Sequence, residues 1–261
     1  MSNFNRTRFV ATRFHDVWKM ILYPAIDIRH GKCVRLTQGR EDVVTEYSSN
    51  PIEMALFWER GGAEWLHIVD LDAAMSGSEE NQDLIEKILQ AVSIPVQLGG
   101  GIRDLSHLEK AIAIGASRIV VGTAAVEDPA MLHQAIERHG DYLAVGIDVK
   151  HSHLATRGWK LETESEPLKF AKKLALLGVK TFVVTDIAQD GMLSGPNYAL
   201  AERIAGATRE SVILSGGIGS LEDLLRARTL EGRGVDGVII GKALYEGKFT
   251  LEEALRITSR A

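Results

Sequence analysis

Two apolar runs end in an aspartate at matching places in the chain, Pro24-Ala25-Ile26-Asp27 and Val145-Gly146-Ile147-Asp148. A carboxyl group in such a position can act as an acid or as a base. Two that flank one substrate can divide those roles between them. Glycine-bearing turns accompany the aspartates. Gly99-Gly100-Gly101-Ile102-Arg103 and Ser215-Gly216-Gly217-Ile218 each join a β-type run to a helix-like run. Gly122-Thr123-Ala124 and Gly241-Lys242-Ala243 follow further along. Consecutive glycines leave backbone N–H groups unobstructed at a helix start, which suits a phosphate dianion. Neither double-glycine turn is a dinucleotide G-x-G-x-x-G or a P-loop. Arg103, just after the first turn, could add a charge for a phosphate or carboxylate.

The spacing of these residues speaks to the scaffold. Asp27 to Asp148 is 121 positions, Asp70 to Asp186 is 116, Gly100 to Gly216 is 116 and Gly122 to Gly241 is 119. Four landmarks in one order at a nearly constant offset imply a half-chain of about 120 residues used twice.

The elements that carry them alternate. Strands are expected over 21–27, 65–70, 96–98, 118–121, 142–148, 181–186, 212–215 and 235–240. Helical runs separate them, the first opened by Asn50-Pro51 and several stopped by glycine, as at Gly61, Gly115 and Gly140. Short hairpins are expected after the first strand (33–36 with 43–47) and after the fifth (153–161). The strands are near-continuous Val/Ile/Leu runs, as parallel strands buried on both faces must be. Eight βα units made from two copies of four predict a (β/α)8 TIM barrel, an α/β fold; an open doubly wound sheet is the competitor, and the duplication favours closure. In a barrel of eight, strands one and five are opposed, so Asp27 and Asp148 should face each other across the mouth. Gly100, Gly101, Gly122 and Thr123 would form one anion cradle, and Gly216, Gly217, Gly241 and Lys242 the other. The expected ligand is a small molecule with a phosphate at each end.

Residues 1–19 belong to neither copy. They carry Arg6, Arg8, Arg13 and Lys19 against Asp16 alone and lack the long apolar centre of a secretory signal. We expect them to lie outside the fold, with Met20 as the natural start and residues 20–261 forming a single barrel domain. The chain has 261 residues, 45% hydrophobic and 25% charged, with a net charge of −5. That balance argues against nucleic acid or an anionic membrane as partner, and no run is long enough to span a bilayer. The single cysteine, Cys33, permits no internal disulfide and fits a reducing cytoplasm. It sits in an alternating strand-like run and reads as a packed thiol. His151 and His153 read as a solvated loop, since no partner at metal spacing accompanies them. Trp159, on the loop after the fifth strand, could stack on a flat ligand or pack on the rim. His67 and Glu46 read as structural.

Pro24-Ala25-Ile26-Asp27, Leu66-His67-Ile68-Val69-Asp70-Leu71-Asp72, Gly99-Gly100-Gly101-Ile102-Arg103, Thr185-Asp186-Ile187-Ala188-Gln189-Asp190-Gly191 and Gly241-Lys242-Ala243-Leu244 together resemble one family. It comprises the histidine-biosynthesis isomerases acting on ProFAR, the aminoaldose N′-((5-phosphoribosyl)formimino)-5-aminoimidazole-4-carboxamide ribonucleotide. The resemblance runs from Met20 to about residue 257. The related cyclases share the half-barrel repeat but usually open with a Cys-Leu-Asp-type strand. The resemblance implies an Amadori rearrangement of aminoaldose to aminoketose. It implies Asp148 as the proton donor to the ring oxygen and Asp27 as the base that takes the C2′ proton. Thr185 and Asp190 match substrate-binding positions, and Asp190 is a rival for the acid role. The substrate's own nitrogen is the electron sink, so neither metal nor organic cofactor is implied. ProFAR carries two phosphates, in keeping with two cradles. Arg157-Gly158-Trp159 is similar to a loop of bifunctional relatives that also isomerise phosphoribosylanthranilate, where Arg157 would bind the anthranilate carboxylate. The alternatives are thus a bifunctional isomerase, or a non-catalytic barrel that binds phosphate ligands. A monomer is expected.

Overall fold

The apolar runs become eight strands that close on themselves. The computed structural model describes residues 20–259; the expectation for residues 1–19 lies outside the described residues. In chain order the barrel strands are β1 (Ile21–Arg29), β2 (Leu66–Asp70), β3 (Val96–Gly99), β4 (Arg118–Val121), β5 (Leu143–Lys150), β6 (Thr181–Asp186), β7 (Ser211–Ser215) and β8 (Val235–Ile240). Each pairs in parallel with the next, and β8 pairs with β1. Helices connect the strands outside. The chain is therefore a (β/α)8 barrel, as its duplication predicts.

Packing forms two layers. Between strands and helices lie residues such as Ile26, Ile68, Ile119, Phe182 and Val238, all fully enclosed. Each such side chain stabilises the fold by roughly 1.5–3 kcal/mol through its removal from water. Inside the barrel the opposite residues of each strand meet: Tyr23, Ala25, Ala144, Val183, Ile213 and Ile239. That inner layer is polar towards its base. Arg118 stacks over the Trp65 ring at 4.6 Å, and Ser211 Oγ donates to Asp236 Oδ1 at 2.7 Å.

Both expected hairpins are present. Lys32–Thr37 lies antiparallel to β1 and to Arg40–Ser48, and His153–Thr156 lies antiparallel to β5 and to Leu161–Glu162. Each half thus raises a hairpin from its first strand. Three short helices were not expected: Leu71–Met75, Thr123–Glu127 and Lys242–Tyr245. At four or five residues they are too short to show a helical period. Among the described residues, no helix is long and apolar enough to cross a membrane.

Candidate active site

A cavity of about 740 Å³ opens where the strands end. Every residue assigned to the site from sequence lines it: both aspartates, the eight cradle residues, and Arg103, Arg157, Trp159, Thr185 and Asp190. Asp27 and Asp148 stand two residues before the ends of β1 and β5, which run on past the expected ends into their hairpins, and lie four strands apart in either direction around the ring. They face one cavity from opposite walls.

Their surroundings differ. The hairpin after β1 folds back so that Asp27 faces Val34, which brings Arg35 alongside. Arg35 Nη1 donates to Asp27 Oδ2 at 2.8 Å, and Nη2 donates to the Ala25 carbonyl. Each side chain of the pair is only 14% exposed. Burial pushes the Asp27 carboxyl above its ordinary range, while the charge and hydrogen bond of Arg35 pull it back. The guanidinium also lies 5.5 Å from the centre of the Tyr245 ring. A side chain at Gly241 would strike it, which gives that glycine a second reason to be there.

Among the described residues no cation pairs with Asp148. Burial raises its carboxyl, and only hydrogen bonds from Trp159 and Thr185 oppose the rise. Thr185 is its register partner on β6. Trp159 reaches it from a left-handed backbone (φ 68°), its ring lying over Gly39 of the opposite hairpin, where any side chain would collide with the indole. The tryptophan therefore both packs on the rim and roofs the site. Asp190 lies between the walls. Its carboxyl rises to about 7, first through burial and then through the charge of Asp27, with Asp148 adding to the rise; Arg35 and Lys242 oppose it.

The glycine turns repeat in three dimensions. Gly100 and Gly101 have φ of 94° and 71°, Gly216 and Gly217 79° and 92°, a region closed to most side chains. Gly100 also packs on the Asp70 backbone, and Gly217 on that of Gly195 and Pro196. The helices that follow have their own caps, Asp104 and Ser220. The open N–H groups belong instead to the two short helices that Gly122 and Gly241 begin, neither of which has a side-chain cap. Those two glycines share one unusual conformation, φ/ψ −101°/−96° and −109°/−100°.

Other residues have partners of their own. Thr123 Oγ1 accepts from the Arg157 backbone at 2.7 Å, and the Arg157 guanidinium donates to both oxygens of Glu127, at 2.8 and 3.2 Å. Lys242 Nζ donates to the Gly191 carbonyl at 3.0 Å, which ties down the loop bearing Asp190. Exposed Arg103 stands beside Gly77. Asp70 caps the helix Leu71–Met75 through Ala73 N, and Asp186 accepts from Asn197, so neither enters the cavity wall. Cys33 is buried, its thiol pushed up to about 12, as a packed thiol should be. His151 and His153 both pair with Glu162 at the surface.

Arg35 and His67 are among the cavity residues that sequence reasoning missed. Arg35 gave no signal because its hairpin reads as simple alternation. His67, read as structural, lines the cavity floor. Among the described residues one group has metal-ligand character, His30, Asp72 and Glu80 within 4.8 Å. It lies outside the cavity wall, and Asp72 already accepts from His30 N and Asn81 Nδ2.

The histidine biosynthesis protein family matches residues 21–250. Similar proteins include the 1-(5-phosphoribosyl)-5-((5-phosphoribosylamino)methylideneamino)imidazole-4-carboxamide isomerases of Thermoanaerobacter pseudethanolicus and Acetivibrio thermocellus. Each is 46% identical over 238 residues, covering 91% of this chain and 99% of the relative. That of Moorella thermoacetica is 45% identical over 240 residues, 92% of this chain and 99% of its own. The chain belongs to this family. Membership in the ProFAR isomerase family accords with the sequence resemblance.

Proposed function

We propose that the chain converts ProFAR to its aminoketose by an Amadori rearrangement in histidine biosynthesis. The observation that carries the reading is the contrast between the two opposed carboxyls: Asp27 is ion-paired with Arg35, whereas Asp148 is desolvated without a cation. The first is suited to stay ionised as a base and the second to hold a proton as an acid. Asp148 donates to the ring oxygen, the furanose opens, and the substrate nitrogen takes the positive charge as a Schiff base. Asp27 then removes the C2′ proton to give the enaminol, which becomes the ketose. Asp190, with its carboxyl near 7, is the rival donor. Arg103, Trp159 and Thr185 hold the substrate. The Gly100–Gly101 and Gly122–Thr123 turns take one phosphate, and the Gly216–Gly217 and Gly241–Lys242 turns take the other.

Arg157 is engaged by Glu127 through two of its three donor nitrogens, Nε and Nη2, so we propose the single activity over the bifunctional one. A spectrophotometric assay with ProFAR and with phosphoribosylanthranilate tests both. Turnover of the first alone is expected; no turnover of ProFAR would remove the isomerase reading. We further propose a cytoplasmic location, supported by the lone buried Cys33, and a monomer, with size-exclusion chromatography as the check on the latter.

A further inference from the structure

The barrel interior holds a line of polar side chains that the acid–base pair does not use. Arg118 Nη1 donates to Tyr23 Oη at 3.0 Å and to Gln97 Oε1 at 3.2 Å. A guanidinium can only donate, so the Gln97 amide oxygen is pinned towards Arg118 and its Nε2 towards the neighbouring strand. There Nε2 lies 2.9 Å from Nδ1 of His67. An amide N–H facing a ring nitrogen requires that nitrogen to accept. The imidazole therefore carries its hydrogen on Nε2.

The surroundings keep the ring neutral. His67 is 8% exposed. Burial, then the positive charge of Arg35, push it down to about 3. The other charged groups on neighbouring strands are already engaged, Asp27 by Arg35 and Arg118 by Gln97 and Tyr23. Among the described residues Nε2 has no protein partner, and His67 lines the cavity. Ala25 is its register partner on β1, and Asp27 pairs with Val69 two residues on. The imidazole thus sits on the strand beside Asp27, one inward-facing step deeper, about 7 Å along the strand.

We propose that His67 is a neutral N–H donor to the reacting sugar, aimed at the oxygen on the carbon whose proton Asp27 removes. The proposal rests on the isomerase reading above. In its last step the enaminol releases the O2′ proton to water, from which Asp148 is reprotonated, and C1′ takes the proton that Asp27 removed from C2′. The C2′–O bond becomes a carbonyl with no change in electron count. Negative charge gathers on O2′ as its proton leaves. A fixed, uncharged donor stabilises that oxygen without drawing the Asp27 carboxylate away as an imidazolium would.

Three measurements test this together. Replacing His67→Leu keeps bulk and removes the donor; kcat should fall about 100-fold with KM changed less than about threefold. Gln97→Glu offers His67 an acceptor in place of a donor, moves the hydrogen to Nδ1, and should lower kcat by about tenfold or more. In ¹⁵N-histidine NMR of the wild-type chain, the His67 ring should stay neutral with its hydrogen on Nε2 from pH 5 to 9. The NMR measurement needs no variant and stands even where a substitution prevents folding. A folded His67→Leu chain with wild-type kcat, a ring protonated on Nδ1, or titration within that range would overturn the donor role alone. A wild-type chain that does not convert ProFAR would overturn the isomerase reading and the donor role with it.

Discussion

The two halves of the barrel share a backbone and differ in what they set around it. Each supplies a strand-end aspartate, a hairpin, a left-handed pair of glycines and an uncapped short helix begun by a glycine of matching dihedrals. In the first half the hairpin delivers Arg35 to the aspartate. In the second the corresponding hairpin delivers Trp159. A cation beside one carboxyl and an indole beside the other are enough to separate two chemically identical groups. On the proposed reading, duplication builds the symmetric grip and the hairpins make the division of labour.

The surest way to break the contrast is to remove either carboxylate. Asp27→Asn and Asp148→Asn should each reduce kcat by about 10³-fold or more while circular dichroism stays unchanged; near-normal turnover by either would refute its role. Arg35→Met comes next. Without the neighbouring charge Asp27 holds its proton to higher pH, so the acidic limb of kcat/KM should move upward and activity near neutrality should fall by about tenfold or more. An unmoved limb would mean that Arg35 does not set the base.

Asp190 sharpens the comparison through pH. Its folded carboxyl titrates near 7, above the ordinary value of 3.8. The folded chain therefore holds this proton more tightly than the unfolded one. The stabilisation is present below about pH 4 and is lost as pH rises through about 7. Asp190→Asn should make Tm fall less between pH 5 and 8 than in the wild type, as differential scanning calorimetry would record; an unchanged slope would deny the shift. The smallest difference expected lies in the turns. Gly100→Ala and Gly216→Ala each force a side chain into a left-handed position, at about 1–3 kcal/mol. The loss of Tm should be larger for Gly100, which packs on the Asp70 backbone, than for Gly216, whose closest neighbour is the Asp190 side chain.

The strands were legible because a parallel strand buried on both faces has little choice but an unbroken apolar run. The site aspartates were legible because such runs end in them twice. Arg35 and His67 were not. Arg35 meets Asp27 only because the antiparallel register sets Asp27 opposite Val34. His67 becomes a cavity residue only because Gln97 and Arg118, 30 and more positions away, turn its ring. Cross-strand register is a property of the closed barrel, and no local pattern states it. The short helices escaped for a simpler reason, since one turn of helix has no period to read.

The equivalent conformations of Gly122 and Gly241 carry a consequence for orientation. A backbone that repeats at both ends of a cleft has no means by itself of telling the head of an elongated bisphosphate from its tail. Left to the scaffold, such a molecule could enter either way round, and half of all encounters would present the wrong carbon to the base. Direction must come from what breaks the likeness: a guanidinium on one rim and an indole on the other, with Lys242 at one end where Thr123 stands at the other.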